Sequence, residues 1–592
     1  MRRVRAVLLI ATASAGVAFP AVRAGAQTPP AVHLLVALPE AEARAFLGRH
    51  TSAAALVVFP PSRSPAEVLV ELGRGMPVAR EPSTSTDPGG PAYVRTLLGG
   101  VDVVTAVAPS ALGSDRATLA SVLSDRPSST TLAALTPGDR TRLAVVVLGS
   151  AEDLDPLLAR VSAGRVLVLG IGERTPALFA VAGTAPGRPN AVLRGGITRR
   201  PGIVTPYDVA ATILREVSAP PGEVIGRALT PDASADPFAE LAAIAERMDR
   251  DVGVARPATV ATALGGVAAL LLASGALALK MHRLAAALAR AAAMAPAGYL
   301  AGIMLPLGTP DVRVAPVVAA MLFGFTFPVR DVRRFAGWAF LVPAVAIALL
   351  TVLAAARPDA EPALSLWDDP LVSWRFFGLR NHLTAFVTGG AVAGLALLRV
   401  PAPLALAGVA GAAVLFGAAT LGANFLAVLT LVLGGLLAVL MLASKGPRAW
   451  HPPLAGSMAV LGLAVALNAD ASAGSHGGRA AEAIRSGGLS QAWTMLVDRA
   501  RLNNGEIAAI GPAGYVALVV MASILAALFW WALRGAGRDY AARAAVAGMS
   551  AAALAAIVVE DTGFFVGGIL GMFAWVAFLG DAVARWYAGP AP

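Results

Sequence analysis

The chain has 592 residues, 57% of them hydrophobic and only 14% charged, with a mean hydropathy of +0.69, which excludes an ordinary soluble protein of this size. The formal charge of +10 comes almost entirely from arginines that are scattered or sit in short loops, lysine occurring only at Lys280 and Lys445. No continuous basic stripe exists, so no nucleic-acid partner is expected. The absence of cysteine excludes disulfides, thiolate metal sites and a cysteine nucleophile.

At the N-terminus, Arg2, Arg3 and Arg5 precede an apolar run from Ala6 to Phe19 and the small-residue site Ala24-Gly25-Ala26. This pattern predicts a secretory signal peptide over residues 1–26, with an uncleaved anchor helix as the alternative. Either reading exports the segment that follows.

Residues 27–235 alternate short β-branched runs with helical and turn-rich pieces. "VHLLVALP" (Val32 to Pro39), "AALVVFP" (Ala54 to Pro60), "LAVVVLG" (Leu143 to Gly149) and "RVLVLGIG" (Arg165 to Gly172) read as buried parallel strands. "SPAEVLVELGRG" and "AEDLDPLLARVSAG" have helical spacing with glycine stops, which together predict an α/β sheet domain with covering helices. The stretch Gly195 to Leu229 resembles the closing segment of alkaline-phosphatase-superfamily domains, through Val204, Thr205, Asp208, Val209, Ala210, Thr212, Ile213, Leu214, Gly226, Arg227 and Leu229. Activity in that superfamily needs two metal ions on several Asp and His ligands. This segment has only His33 and His50, and Ala37-Leu38-Pro39-Glu40 where the first strand would supply an Asp. The resemblance therefore implies a degenerate domain that binds or scaffolds, with no metal and no cofactor.

Residues 236–257 read as an amphipathic helix and linker, with Phe238, Leu241, Ile244 and Met248 on one face, connecting the domain to the bilayer. From Ala258 on, residues 258–592 form an all-α polytopic domain. Eleven spans are expected near 258–279, 288–307, 312–329, 335–356, 383–400, 402–420, 425–443, 453–469, 509–533, 541–559 and 563–580. If the first span runs inward, Lys280, Arg283, Arg290, Arg330, Arg333, Arg334, Arg399, Lys445, Arg448, Arg534, Arg538, Arg543 and Arg585 all fall in cytoplasmic connections. The expectation is a multi-pass protein of a bacterial cytoplasmic membrane with an extracytoplasmic N-terminal domain, a cytoplasmic C-terminus and span interiors nearly free of charge.

The same topology collects the polar phrases on the outer side: "LWDDPLVSWRFFGLRNH" (Leu366 to His382), "GAN" (Gly422 to Asn424), "NADASAGSHGGR" (Asn468 to Arg479), "VDRARLNNGE" (Val497 to Glu506) and "EDTG" (Glu560 to Gly563). Ionisable groups at a membrane boundary are costly unless paired or hydrated, so their convergence marks a candidate site. Arg375, Arg380, Arg479 and Arg499 are candidates for a phosphate, whose oxygens a guanidinium matches bidentately; headgroup snorkelling is the bland reading for Arg375 and Arg380. His476, Glu506, Glu560 and Asp561 are candidates for proton transfer. His382, Asn424, Asp470, Ser475, Asn503 and Asn504 complete the polar set, and Asn424 and Asn468 read equally as helix caps. Trp367 and Trp374 read as interfacial anchors, and Leu489 to Leu502 as a helix lying on the outer surface, with Ser490 as its cap.

The "GAN", "SHGGR" and N-x-E phrases resemble those of a group of bacterial multi-pass proteins that carry an alkaline-phosphatase-like outer domain. That resemblance implies architecture and no particular reaction. The expected function is the binding or processing of a lipid-linked phosphorylated substrate, such as a polyprenyl-phosphate glycan, at the outer leaflet. If the protein is an enzyme, it is a glycosyl- or phosphoryl-transferase. The alternative is a non-catalytic transporter, or a scaffold whose outer domain recruits other envelope proteins.

Overall fold

In the computed structural model the described residues are the strands between 32 and 182, most of 190–305 and most of 310–356. They continue through 379–470 apart from 419–420 and 422–423, scattered positions between 488 and 508, and 510–587 apart from 536–538 and 561. Nine strands form one mixed sheet: β1 (Val32–Pro39), β2 (Ser52–Val57), β3 (Asp102–Val107), β4 (Thr141–Val147), β5 (Ala163–Ile171), β6 (Ala177–Ala182), β7 (Ala191–Arg194), β8 (Ile203–Val204) and β9 (Thr230–Ala233). Their order is β3-β4-β1-β5-β6-β2-β7-β9, with β8 beside β2. The four strands expected from sequence are β1, β2, β4 and β5. β1 is parallel to β4 and β5, and β2 runs the same way but is separated from β5 by β6, which is antiparallel to both. The covering helices expected between these strands lie outside the described residues.

The phrase from Gly195 to Leu229 has a visible structural role. Thr205 donates its hydroxyl to Asp208 Oδ2 at 2.9 Å, and the Asp208 amide donates back to Thr205 Oγ1 at 3.3 Å, a reciprocal cap that opens a helical turn. Thr212 donates to the Asp208 carbonyl at 2.6 Å and accepts from the Leu229 amide at 2.9 Å, so one hydroxyl joins the two ends of the segment. All three side chains are buried. Helix α1 (Pro237–Val252) begins at Asp236, whose carboxylate accepts from the amides of Phe238 and Ala239. Its apolar face covers the turn between β7 and β8. Gly202 has φ +78 there, and a Cβ on it would come within 2.6 Å of Ile244 and 2.9 Å of Leu241. The amphipathic helix thus buries its stripe on the sheet before the chain enters the helical region.

That region contains α2 (Ala255–Ala278), α3 (His282–Met304), α4 (Val314–Thr326), α5 (Val332–Ala356), α6 (Asn381–Leu397), α7 (Ala402–Gly417), α8 (Phe425–Ala443), α9 (His451–Asp470), α10 (Pro512–Arg534), α11 (Tyr540–Val559) and α12 (Gly563–Tyr587). Each of the eleven expected segments is helical. Among the described residues, however, only α2, α3, α5, α8, α10, α11 and α12 are long and apolar enough to cross a membrane. α4, α6 and α7 are apolar but shorter, and α9 opens on His451-Pro452-Pro453 and closes on Asn468 and Asp470. α6 contains a π-helical turn, Gly390–Gly394, which breaks the regular hydrogen-bond ladder in mid-helix.

α3, α11 and α12 occupy the centre. α3 packs on α2, α4, α5 and α12, and α11 packs on α8, α10 and α12. Lipid tails are as apolar as leucine, so close backbone approach drives such packing, and small residues permit it. At the α8–α11 crossing a Cβ on Gly548 would lie 2.5 Å from the Gly434 carbonyl oxygen, and a Cβ on Gly434 the same distance from that of Gly548. Gly548→Val should therefore cost about 3 kcal/mol, the upper range for overpacking, because a backbone atom cannot yield as a side chain does. Unfolding in mixed micelles against wild type would measure this, and an unchanged midpoint would contradict the crossing.

One end of the bundle is charged. Three helices that end there, α2, α6 and α8, close with a basic residue in the left-handed conformation: Lys280 (φ 61), Arg399 (φ 56) and Lys445 (φ 53). Each has the paired Schellman bonds, for example Met281 N to Ala276 O at 2.7 Å and Lys280 N to Leu277 O at 3.0 Å. Glycine is the usual occupant. Here a cation faces the negative end of the helix dipole, which offsets strain of roughly 1 kcal/mol. Asp539 caps α11 through the Ala541 amide at 2.9 Å and pairs with both Arg333 and Arg399. Arg585 pairs with the fully buried Asp581 at 3.1 Å.

Two arginines that the sequence assigns to connections lie within helices, near the charged end. Arg290 lies inside α3 and donates to the carbonyls of Gly324, Phe325 and Val329; Arg543 lies inside α11 and donates to those of Ala532 and Leu533. Both are buried and complete the C-terminal ends of a neighbouring helix, α4 and α10 respectively. Positive-inside counting assigned them to loops because it registers charge and not the carbonyls that receive it.

Candidate functional site

The opposite end of the bundle carries the candidate site. Three of the helices that begin there meet. α6 starts after Arg380, in extended backbone at φ −63 and ψ 150, so Asn381 and His382 occupy its first turn. α8 starts after Asn424, whose side chain accepts from the Ala427 amide, and α12 starts after Thr562. Asn424 Nδ2 donates to Asn381 Oδ1 at 2.9 Å, and Asn381 Nδ2 donates to Thr562 Oγ1 at 2.7 Å. Two side-chain hydrogen bonds thus tie three helix N-termini together, each carrying about half a positive charge from its unpaired amides.

Four further side chains surround this junction. Arg380 is 7% exposed and Glu560, which follows the last turn of α11, is 2% exposed. Tyr299 of α3, 1% exposed, places its hydroxyl 2.6 Å from His382 Nε2. Pro296 removes a backbone donor from α3 one turn before Tyr299. Beneath, Tyr299, Phe386, Phe573 and Phe340 form a buried aromatic column with successive ring centroids 5.4, 6.3 and 4.5 Å apart. All four rings are buried.

Comparisons with protein-family models, curated proteins and solved structures give no match. The site is accordingly read from its own chemistry.

Arg380, His382, Asn424 and Glu560, expected from three separate phrases, are brought to one rim. For Asn424 the structure shows the cap: its side-chain carbonyl accepts from the Ala427 amide, and its amide donates to Asn381 Oδ1. Asn504 is exposed and accepts a hydrogen bond from Tyr515 of α10, and Asn468 bonds the Ala464 carbonyl of its own helix. Asp470 closes α9. Arg375, Ser475, His476, Arg479, Arg499, Asn503, Glu506 and Asp561 lie outside the described residues, as do Trp367 and Trp374. Of the expected surface helix, Ser490, Trp493 and Val497 are helical, and Trp493 is 68% exposed.

Sequence reasoning gave no role to Tyr299, Asn381 or Thr562. Asn381 and Thr562 stood inside phrases already singled out. Tyr299 had only one signal, a lone phenol among alanine and glycine three residues after a proline. Among the described residues no group of three His, Asp or Glu side chains is arranged to hold a metal ion.

Proposed function

We propose that this membrane protein binds a lipid with a phosphate-bearing headgroup, such as a lipid-linked glycan, at the rim built by Arg380, Asn381, Asn424 and Thr562. The observation that carries this reading is the meeting of three helix N-termini beside a buried guanidinium. Aligned amides favour negative charge, and an arginine fork matches phosphate oxygens in a way a single carboxylate does not require. Signal peptide and loop charge both assign this rim to the outer face, and the N-terminal sheet domain serves as a non-catalytic recruiting or covering module there. The packed aromatic column below the junction and the glycine-lined crossings of the core favour a site that opens to one side over a transport path.

The test is to purify the full chain in mild detergent and identify bound lipids by native mass spectrometry. A phosphate-headed lipid retained in near-stoichiometric amount is the expected result. Only neutral lipids, or none, would remove the reading and turn attention to protein partners of the outer domain.

A further inference from the structure

We propose that His382 takes up a proton when a phosphate headgroup binds at this rim, and that Tyr299 is the positioning residue that accommodates the imidazole in both charge states. This rests on the headgroup reading above and adds to it the group that matches the ligand's second negative charge. The observation is the Tyr299–His382 contact. The phenol oxygen is 2.6 Å from Nε2, the rings meet edge-on at 86°, and Phe386 closes on both.

A tyrosine hydroxyl both donates and accepts. Against a neutral imidazole with a lone pair on Nε2 it donates; against the Nε2–H of an imidazolium it accepts. The contact therefore survives a change of charge without orphaning a buried polar atom, which a lysine at position 299 could not achieve because it only donates. The charged or titratable groups around His382 among the described residues are Tyr299 of α3, Arg380 beside it, and Glu560 after α11. Arg313, whose guanidinium bonds the Gly302 and Ile303 carbonyls at the end of α3, lies one turn beyond Tyr299 at the same end. α5, α7, α8 and α12 bring no described ionisable side chain to this end. Arg380 and Arg313 disfavour a further cation at this end and Glu560 favours one; a phosphate dianion beside the imidazole shifts that balance toward the imidazolium. The proton comes from the buffer, and no bond to phosphorus changes.

Calorimetry tests this with the full chain in phosphatidylcholine nanodiscs, titrated with dihexanoyl phosphatidic acid near neutral pH in two buffers of different ionisation heat. The expected result is a heat that depends on buffer, with net proton uptake in the wild type. His382→Gln should bind more weakly and lose the buffer dependence. Tyr299→Phe keeps the ring packing and should move the pH of half-maximal uptake to the acid side by about one unit, since the imidazolium loses its acceptor. The chain has six histidines. The His382 imidazole resonance can therefore be followed directly, assigned through His382→Gln or, if that variant does not fold, through its proximity to the Tyr299 ring. It should move toward the charged form on adding the lipid.

Wild-type binding with equal heats in both buffers and a stationary resonance would overturn the proposal and leave the headgroup reading standing. Uptake that persists in His382→Gln would assign the proton elsewhere and overturn it as well. Uptake at an unchanged pH in Tyr299→Phe would remove the role of Tyr299. No binding of the phosphatidic acid by the wild type would overturn both readings.

Discussion

Replacing Arg380 by glutamine is expected to weaken binding of a phosphate-headed lipid by about 10- to 100-fold while leaving the protein folded. A hydrogen bond to a charged group contributes about 1.5–3 kcal/mol, and 1.4 kcal/mol corresponds to about tenfold in affinity. Glutamine keeps a donor of similar reach but removes the charge and the fork. Arg380 precedes α6 and receives the first helical amide bond through its carbonyl, from Thr384 at 3.0 Å, so the substitution leaves that backbone contact in place. Titration with phosphatidic acid and with phosphatidylcholine would separate charge recognition from general lipid uptake. An Arg380→Gln protein that binds both as wild type does would place the anion elsewhere. One that loses melting temperature without losing affinity would make Arg380 a structural residue.

The second large effect lies at the charged end. Asp539→Ala should destabilise the helical region by about 3 kcal/mol. It removes the carboxylate shared by Arg333 and Arg399 together with the cap of α11. The figure is kept below that for a fully buried pair because the Arg399 side chain is 55% exposed and screened by solvent. Asp539→Asn retains a good cap and removes only the charge, so it should recover about 1 kcal/mol of the loss.

Burial alone would raise the Asp539 carboxyl. The hydrogen bond from Arg399, the Ala541 amide and the charge of Arg333 outweigh it and hold the group below the usual carboxylate range. The same bond raises Arg399. A carboxyl depressed in the folded state contributes stability that is fully present above its unfolded value, near pH 4, and is lost as pH falls through the folded value. The advantage of wild type over Asp539→Asn should therefore be constant from about pH 7 to pH 5 and shrink below about pH 4. Melting both proteins across that range measures it, and a gap that widens on acidification would contradict the assignment.

Much of this arrangement was legible in the residues. Of the nine strands, β1, β2, β4 and β5 were legible; β3, β6, β7, β8 and β9 were not, the last three because they are only two to four residues long, and β3, "DVVTAV", despite its β-branched residues. Helical segments were legible throughout the apolar region. Their adequacy as spans was not, since α4, α6 and α7 are apolar over their whole length and yet short. Arg380, His382, Asn424 and Glu560 were legible because ionisable and amide groups stand out against an apolar background. Tyr299 was not, because a phenol in an apolar helix reads as core until its hydroxyl is seen facing a histidine.

By itself the sequence determined the membrane class and the separation of polar residues into two sets at opposite helix ends. Each follows from local composition, which the bilayer reads one segment at a time. Only the tertiary structure decided which members of a set meet. Asn381, Asn424 and Thr562 are up to 181 residues apart and become neighbours because α6, α8 and α12 begin at one point. The partner of Asp539 is likewise chosen by helix packing: Arg333 is 206 residues away, and no local pattern encodes that distance.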